Sequence, residues 1–272
     1  MEPQGKKIPD LSEYDGEDQV ISSYEMEEQL QDEKHLFKVR TMIPGLDRHI
    51  DGCVPGEVII ISGFTKHGKT LLAQTLTKNF SQQDQLSLWF SYELPPKQFI
   101  ACFDNLPLIY MPRYLRTASL KWVKDRIIES FQKYHTRIIF IDHLHYLVDM
   151  TRQKGPSLEI GTIIRCFKSL AVTHGFVIFI LSHTRTKKDG QIEVDDFGSP
   201  RDSSFIEQES DATLMVKRFP KFGSNIAKIR INQHRRTGVM DEKVWVEKIG
   251  SVLVETTERK DTRNQRLPYS DD

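Results

Sequence analysis

Apolar residues along this chain gather in short blocks instead of spreading evenly. Val58-Ile-Ile-Ile runs into Ser62-Gly63, Leu86–Ser91 is followed by Tyr92-Glu93, Ile138-Ile-Phe-Ile stops at Asp142, and Phe176–Leu181 stops at Ser182. Short apolar runs of this kind, closed by small or polar residues, suit strands buried on both faces. Between them, Leu71–Phe80, Pro96–Asp104, Leu120–Tyr134 and Leu158–His174 read as helices. The third of these carries Trp122, Val123, Ile127, Ile128 and Phe131 on one side. The segment from Leu46 to Gly56 reads as a helical turn closed by a loop. The last third, with Ala212–Lys217, Ala227–Asn232, Lys243–Glu247 and Ser251–Glu255, looks strand-rich. Strands alternating with helices predict an α/β domain with a mostly parallel central sheet flanked by helices on both faces.

The flanks lack this pattern. Residues 1–20 are polar and acidic and predict a disordered extension. Within 21–39, Tyr24, Met26, Leu30 and Leu36 stand among Glu, Gln and Lys, which suggests a short amphipathic helix over Ser23–Phe37. The core domain is expected over 40–256, with a flexible tail over 257–272. A long polar loop, roughly 184–203, separates the fourth strand from the strand-rich third.

Composition narrows this picture only a little. The 272 residues suffice for one large α/β domain with short extensions. Lys plus Arg and Asp plus Glu are 38 each, so the net charge is zero, which argues against a protein that coats nucleic acid by bulk charge. A local basic surface stays open, because phosphate contacts need only a few placed cations. No run approaches the roughly 18 apolar residues of a membrane span, and the start does not read as a secretory signal. A cytoplasmic or nucleoid setting is expected, with no membrane partner. Cys53, Cys102 and Cys166 are far apart and in apolar context, and read as buried thiols in a reducing compartment.

The chemistry begins at Gly63-Phe64-Thr65-Lys66-His67-Gly68-Lys69-Thr70, a full match to G-x-x-x-x-G-K-[ST] between an apolar strand and a helix. Such a loop wraps backbone N–H groups around phosphate oxygens, and the following helix adds its positive end. Lys69 then reaches the terminal phosphates of ATP, and Thr70 offers a hydroxyl to Mg²⁺. A second magnesium-holding group is expected at the end of a neighbouring apolar strand. Asp142 stands there; alone it would be read equally as a strand-ending cap, and the upstream loop turns it into the metal residue. Glu93 lies just past the second strand, at the same sheet edge, where a carboxylate can act as general base. A solvated turn glutamate before Pro95-Pro96 fits those residues equally well.

Further segments follow in order: Ser91-Tyr-Glu93-Leu, Asp142-His-Leu-His145, Leu181-Ser-His183, Arg201-Asp-Ser-Ser-Phe-Ile-Glu-Gln-Glu-Ser-Asp211, and Gln233-His-Arg-Arg-Thr-Gly238. Together they resemble the ATPase domain of the DnaB-like replicative helicases, a branch of the RecA-like motors. The resemblance spans roughly residues 40–256. It implies that Glu93 is the catalytic base, that His183 senses the γ-phosphate where the family usually has Gln, and that Arg236 is an arginine finger reaching the ATP of the neighbouring subunit. His234 stands where the family has lysine, and Arg235 is the alternative to share that work. His143 and His145 occupy positions that are more often Tyr and Gln. Their H-x-H spacing has no complementary Cys or His cluster after it in sequence, so it is not read as a metal site.

The resemblance also implies a homo-hexameric ring that hydrolyses ATP with Mg²⁺ and translocates on single-stranded DNA during replication, in the 5′–3′ direction. A primase or helicase loader would be its partner. Lys187, Lys188, Arg201 and Asp202 then belong to the loop facing the ring's channel, where residues of this kind track a phosphate backbone. Without the resemblance, two lysines in a polar loop are an ordinary solvated surface. The 21–39 segment corresponds to a linker helix that docks on the adjacent subunit, and a helix packed on its own domain is the alternative. The compact form resembles viral or plasmid-borne motors. Two other functions compete: a RadA- or KaiC-like recombination or repair ATPase, and a non-motor accessory protein that uses ATP as a switch.

Overall fold

The computed structural model describes residues 10, 12–16, 19–32, 37–116, 119–148, 156–185, 199–200, 203–219 and 225–257. Two compact units are present, residues 1–36 and 37–272. The first contains α1 (Ser23–Asp32). Its start is closed by a reciprocal pair: the Glu25 N–H donates to Ser22 Oγ at 3.2 Å, and the Ser22 N–H donates to the Glu25 carboxylate at 2.8 Å. That arrangement is a capping box, which satisfies donors a helix start leaves unpaired. The helix is shorter than the pattern predicted, since Phe37 is not helical. The expectations for residues 258–272 and for most of 1–20 lie outside the described residues.

In the second unit the order is α2 (Pro44–Ile50), β1 (Val58–Gly63), α3 (Lys69–Ser81), β2 (Ser87–Ser91), α4 (Pro96–Ala101), β3 (Ile109–Tyr110), α5 (Leu120–Tyr134), β4 (Ile138–Asp142), a 3₁₀ turn (Leu144–Leu147), α6 (Pro156–His174), β5 (Val177–Arg185), β6 (Ser199–Pro200), α7 (Ser203–Glu209), β7 (Ala212–Arg218), β8 (Ile226–His234), β9 (Val239–Ile249) and β10 (Val252–Glu255). The sheet runs β10-β9-β8-β7-β1-β5-β4-β2-β3, with β6 paired to β5. From β7 through β1, β5, β4 and β2 to β3 all neighbours are parallel. From β7 to β10 they are antiparallel.

Period-two alternation sorts the large residues of the parallel strands onto two faces. Ile59, Ile61, Trp89, Phe140 and Phe179 pack with Leu72, Leu76 and Phe80 of α3. On the other face Ile60, Phe90, Ile139, Ile141, Ile178 and Ile180 meet Val123 and Ile127 of α5 and Ile164 and Phe167 of α6. Phe140 stacks between Trp89 (4.6 Å) and Phe179 (4.7 Å) at the centre of the first face. Helices therefore cover both sides of a mostly parallel sheet, as the alternating blocks predicted.

Several elements differ from the sequence pattern. β3 is a two-residue edge strand that no apolar run announces. β9 reaches back to Val239, through Met240–Lys243, which are exposed and carry no inward period. Within the polar stretch, β5 continues to Arg185 and pairs with β6, and α7 forms with Ile206 fully buried. The cysteines differ as well: Cys53 is buried as expected, but Cys166 is half-buried and Cys102, just past the end of α4, is exposed. Among the described residues no helix is long and apolar enough to cross a membrane.

Candidate functional site

Strand register brings the chemical groups together. Gly63 at the end of β1 lies opposite His183 of β5, and Ser91 at the end of β2 lies opposite Asp142 at the end of β4. Gly63, His183, Asp142 and Glu93 therefore share the C-terminal edge of four parallel strands, where open α/β sheets place ligands. The loop Gly63–Thr70 emerges at that edge, with α3 beginning at Lys69.

Strand β7 shapes this loop as much as the loop's own glycines do. Gly63 has φ +152°, and a Cβ there would stand 2.3 Å from the Val216 carbonyl oxygen, so any side chain would force the two strands apart. The Arg218 N–H donates to His67 Nδ1 at 3.1 Å. Burial, then the charges of Lys217, Arg218 and Lys69, hold the His67 pKa below its ordinary value, which suits an acceptor imidazole. Phe64 packs its ring edge against His67, while Thr65 and Lys66 are exposed. Gly68 has φ +101° and precedes the helix. A cavity of about 170 Å³, lined in part by Lys66, His67, Gly68, Leu71, Arg218 and Leu253, adjoins the loop. A larger cavity of about 390 Å³ lies at the β3 edge, beside Tyr110 and Trp122.

Lys69 is buried, and its Nζ donates to the carbonyls of Gly63 and Phe64 at 3.1 Å each. Burial lowers its pKa, opposed by the nearby charges of Glu93 and Asp142. Thr70 Oγ1 donates to Asp142 Oδ2 at 3.0 Å. The other oxygen, Asp142 Oδ1, is buried with no hydrogen-bond partner among the described residues. Burial first, then the Glu93 charge, push the Asp142 carboxyl up to about 7, against the Thr70 bond and Lys69. A buried carboxylate with an unshared oxygen beside a threonine hydroxyl fits a small hard cation, which takes oxygen ligands and offsets the cost of burying the charge. Thr70 and Asp142 would hold Mg²⁺ here. Glu93 is placed by the Tyr92 and Glu93 N–H groups, which both donate to the Asp142 carbonyl, at 2.7 and 3.3 Å. Its side chain is exposed.

The histidines are the group that sequence reasoning missed. His143 and His183 face each other with ring centroids 4.5 Å apart, and one ligand atom from each lies within 4.8 Å of a Glu93 oxygen and of the other. Residue spacing alone offered only the His143–His145 pair; the β4–β5 pairing supplies the third imidazole.

Arg236, expected to be a finger, is tied within its own chain. Its Nε donates to Glu57 Oε1 at 2.8 Å, and its Nη2 donates to the carbonyls of Ile50 and Gly52 at 2.7 Å. Arg235 is exposed; its Nη2 donates to the Gln208 carbonyl and its N–H to the Asp211 carbonyl, both at 2.7 Å. The hairpin carrying both arginines lies at the opposite end of the sheet from the phosphate loop, because His234 registers with Ala212 and Ala212 with Ile59. A six-residue β1 alone spans about 16 Å at a rise of about 3.3 Å, so neither arginine serves the phosphate loop of its own chain.

The Arg201–Asp211 segment also has a structural part to play. Asn232 Nδ2 donates to the Glu207 carboxylate at 3.0 Å, and Gln233 Nε2 donates to the Glu207 carbonyl. Asp211 accepts from Lys168 Nζ at 2.7 and 2.8 Å and from the Val58 N–H at 2.8 Å. Helix α7 thus braces the hairpin that presents Arg235. Lys187, Lys188, Arg201 and Asp202, expected to meet DNA, lie outside the described residues.

No protein-family model matches the sequence, and no curated protein matches it. Solved structures do. One structure, described as an ATPase domain, superposes with a TM-score of 0.73 at 19% identity, covering 88% of this chain and 100% of that one. A DnaB-like replicative helicase, described with its interactions with primase, gives 0.68 at 20% identity, over 89% of this chain and 68% of the other. The fold is that of the DnaB-like helicase ATPase domains. Its mostly parallel sheet flanked by helices is the α/β class that the alternating apolar blocks predicted.

Proposed function

We propose that the chain is an ATP-hydrolysing motor that moves on single-stranded DNA as a ring of identical subunits. The observation that carries this reading is the convergence of Lys69, the Thr70–Asp142 pair, Glu93 and His183 on one sheet edge, with both hairpin arginines at the other. ATP phosphates would lie along Gly63–Thr70, with Lys69 leaving the loop carbonyls for the β- and γ-phosphates, and the nucleoside would extend toward the cavity beside His67 and Leu253. Bound Mg²⁺ would neutralise charge on the phosphate oxygens. Glu93 takes a proton from the attacking water as its oxygen bonds to the γ-phosphorus and ADP leaves. His183 donates a hydrogen bond to the γ-phosphate.

In such a ring a hairpin guanidinium would serve the phosphate loop of a neighbouring subunit, because the hairpin lies at the far end of its own sheet. Arg235 suits this better than Arg236, which would have to release Glu57 and two carbonyls first. Hydrolysis at each interface would shift the segment holding DNA, for which Lys187, Lys188, Arg201 and Asp202 are the candidates. The solved neighbour described with primase makes a primase, or a loader, the natural partner class.

The test pairs ATP turnover, with and without single-stranded DNA, with displacement of a labelled strand from a forked duplex. Stimulated turnover and strand release are expected. Turnover indifferent to DNA, with no displacement, would leave an ATP-switched accessory protein instead. Replacing Lys187, Lys188 and Arg201 by alanine should lower the salt dependence of DNA binding by about 0.7 in log–log slope per lost phosphate contact.

A further inference from the structure

We propose that Glu93, His143 and His183 form a binding site for a divalent transition-metal ion of the zinc class, separate from the oxygen site at Thr70 and Asp142, and that an ion there blocks hydrolysis by occupying Glu93. The inhibitory half rests on the ATPase reading above; the binding half does not.

One ligand atom from each of the three residues lies within 4.8 Å of the other two. Around a tetrahedral ion with bonds of about 2.0–2.1 Å the ligand atoms stand about 3.4 Å apart, so the residues must draw together by no more than about 1.4 Å. Glu93 can supply that movement, since its side chain is exposed at the exit of β2, while the two imidazoles sit at the ends of paired strands. His143 Nδ1 is buried and has no hydrogen-bond partner among the described residues. His145 adds a further imidazole, its ring 5.4 Å from His143 and 6.3 Å from His183.

Metal ligation needs neutral imidazole. Ligand chemistry then divides the cations between two adjacent sites. Mg²⁺ takes oxygen donors and keeps several waters, which suits Thr70 and Asp142. Imidazole selects zinc, cobalt, nickel or copper, and two histidines with one carboxylate leave the open fourth position typical of a reactive zinc site. A carboxylate bound to such an ion cannot accept the proton of the attacking water.

Cobalt(II) is the probe, titrated into tag-free, nucleotide-free protein and followed by visible absorption. We expect one equivalent per chain, a four-coordinate nitrogen–oxygen spectrum, displacement by Zn²⁺, and a roughly 10–100-fold loss of affinity in His143→Ala, the range seen when metal sites lose a supporting group. His183→Ala, read only for cobalt binding, should show the same loss. Zn²⁺ should also raise the thermal midpoint of the wild type and not of His143→Ala, in proportion to its binding. With Mg²⁺ saturating, Zn²⁺ should inhibit wild-type ATP turnover, while His143→Ala keeps its basal rate and resists inhibition. Absence of a stoichiometric cobalt spectrum overturns the site, as does an unchanged spectrum in both variants, or a sulfur-to-cobalt charge-transfer band that puts the ion on a cysteine. Equal zinc inhibition of wild type and His143→Ala overturns the inhibitory mechanism and moves the ion to Thr70 and Asp142. Cobalt binding in a protein without ATPase activity would keep the site and remove the motor reading.

Discussion

At the C-terminal edge of β1, β2, β4 and β5, charged groups crowd together with bonds still to make: Asp142 Oδ1 and His143 Nδ1 are buried without hydrogen-bond partners among the described residues, and Lys69 rests on two loop carbonyls. At the N-terminal edge of β1 and β7 the carboxylates are saturated. Glu57 holds Arg236, lies 3.4 Å from His234 Nε2 and accepts the Val54 N–H; Asp211 holds Lys168 and the Val58 N–H. The proposed phosphate and cation sites lie on the first edge. The second is already satisfied and holds a rigid hairpin outward, with Arg235 at its surface. In the proposed reading each end of the sheet would supply half a reaction site, so two copies would be needed to complete one.

The largest effect is expected at the unsaturated edge. Lys69→Ala should lower ATP turnover by about 10²–10³-fold or more, the scale for removing one preorganised charge from a transition state, with steady-state turnover as the readout. Near-normal rates would erase the contrast between the edges. Glu93→Gln should reduce hydrolysis by about 10²–10⁴-fold, the usual worth of a general base, while fluorescent-nucleotide binding is retained. Normal hydrolysis would move the base elsewhere.

The saturated edge should respond in stability first. Arg236→Ala leaves a buried Glu57 short of its main partner and should lower the unfolding free energy by about 1–3 kcal/mol, read from denaturant curves. Arg235→Ala should change stability by under about 0.5 kcal/mol, as exposed substitutions usually do. Equal losses would mean that both arginines are structural. The smallest effect concerns acid. Burial alone would raise the Glu57 pKa, but the bonds from His234 and Arg236 outweigh it and the net shift is downward. Its contribution is therefore complete above the ordinary carboxylate range and is lost as pH falls through the lowered pKa. In Arg236→Ala this part of the acid loss should shrink, measurable as a flatter stability profile at low pH.

How much of this was legible in the sequence depended on the kind of signal. The apolar blocks ending at Gly63, Ser91, Asp142 and Leu181 marked four parallel strands, because strands buried on both faces need continuous apolar residues. The loop Gly63–Thr70 and Asp142 stood out by motif spacing and by a strand end, and the fold brings Thr70 to Asp142. Strand β9 was legible only in part, since Met240–Lys243 are exposed and pair by backbone alone. Helix α7 was hidden because its seven residues lie within a long polar stretch and are too few to show a period. The His143–His183 contact and the Arg236–Glu57 pair were invisible for another reason. The first is made by pairing of β4 with β5 and the second by a hairpin two strands away from β1 in the sheet, neither of which residue spacing encodes. The motif at Gln233–Gly238 pointed to Arg236; its side-chain packing, seen only in three dimensions, ties Arg236 to Glu57 and leaves Arg235 exposed.

The most direct test of a site divided between two chains mixes inactive proteins. Lys69→Ala lacks the phosphate half and Arg235→Ala lacks the arginine half, so each alone should turn over ATP slowly. Loss of an arginine finger costs on the order of 10³–10⁵ in rate. After subunit exchange, verified by labelled subunits, some interfaces will join an intact Lys69 to an intact Arg235, and the account predicts that activity returns in proportion to their number. The same mixture made with Arg236→Ala in place of Arg235→Ala identifies which arginine acts. Exchanged mixtures that recover nothing with either arginine variant would contradict a shared site.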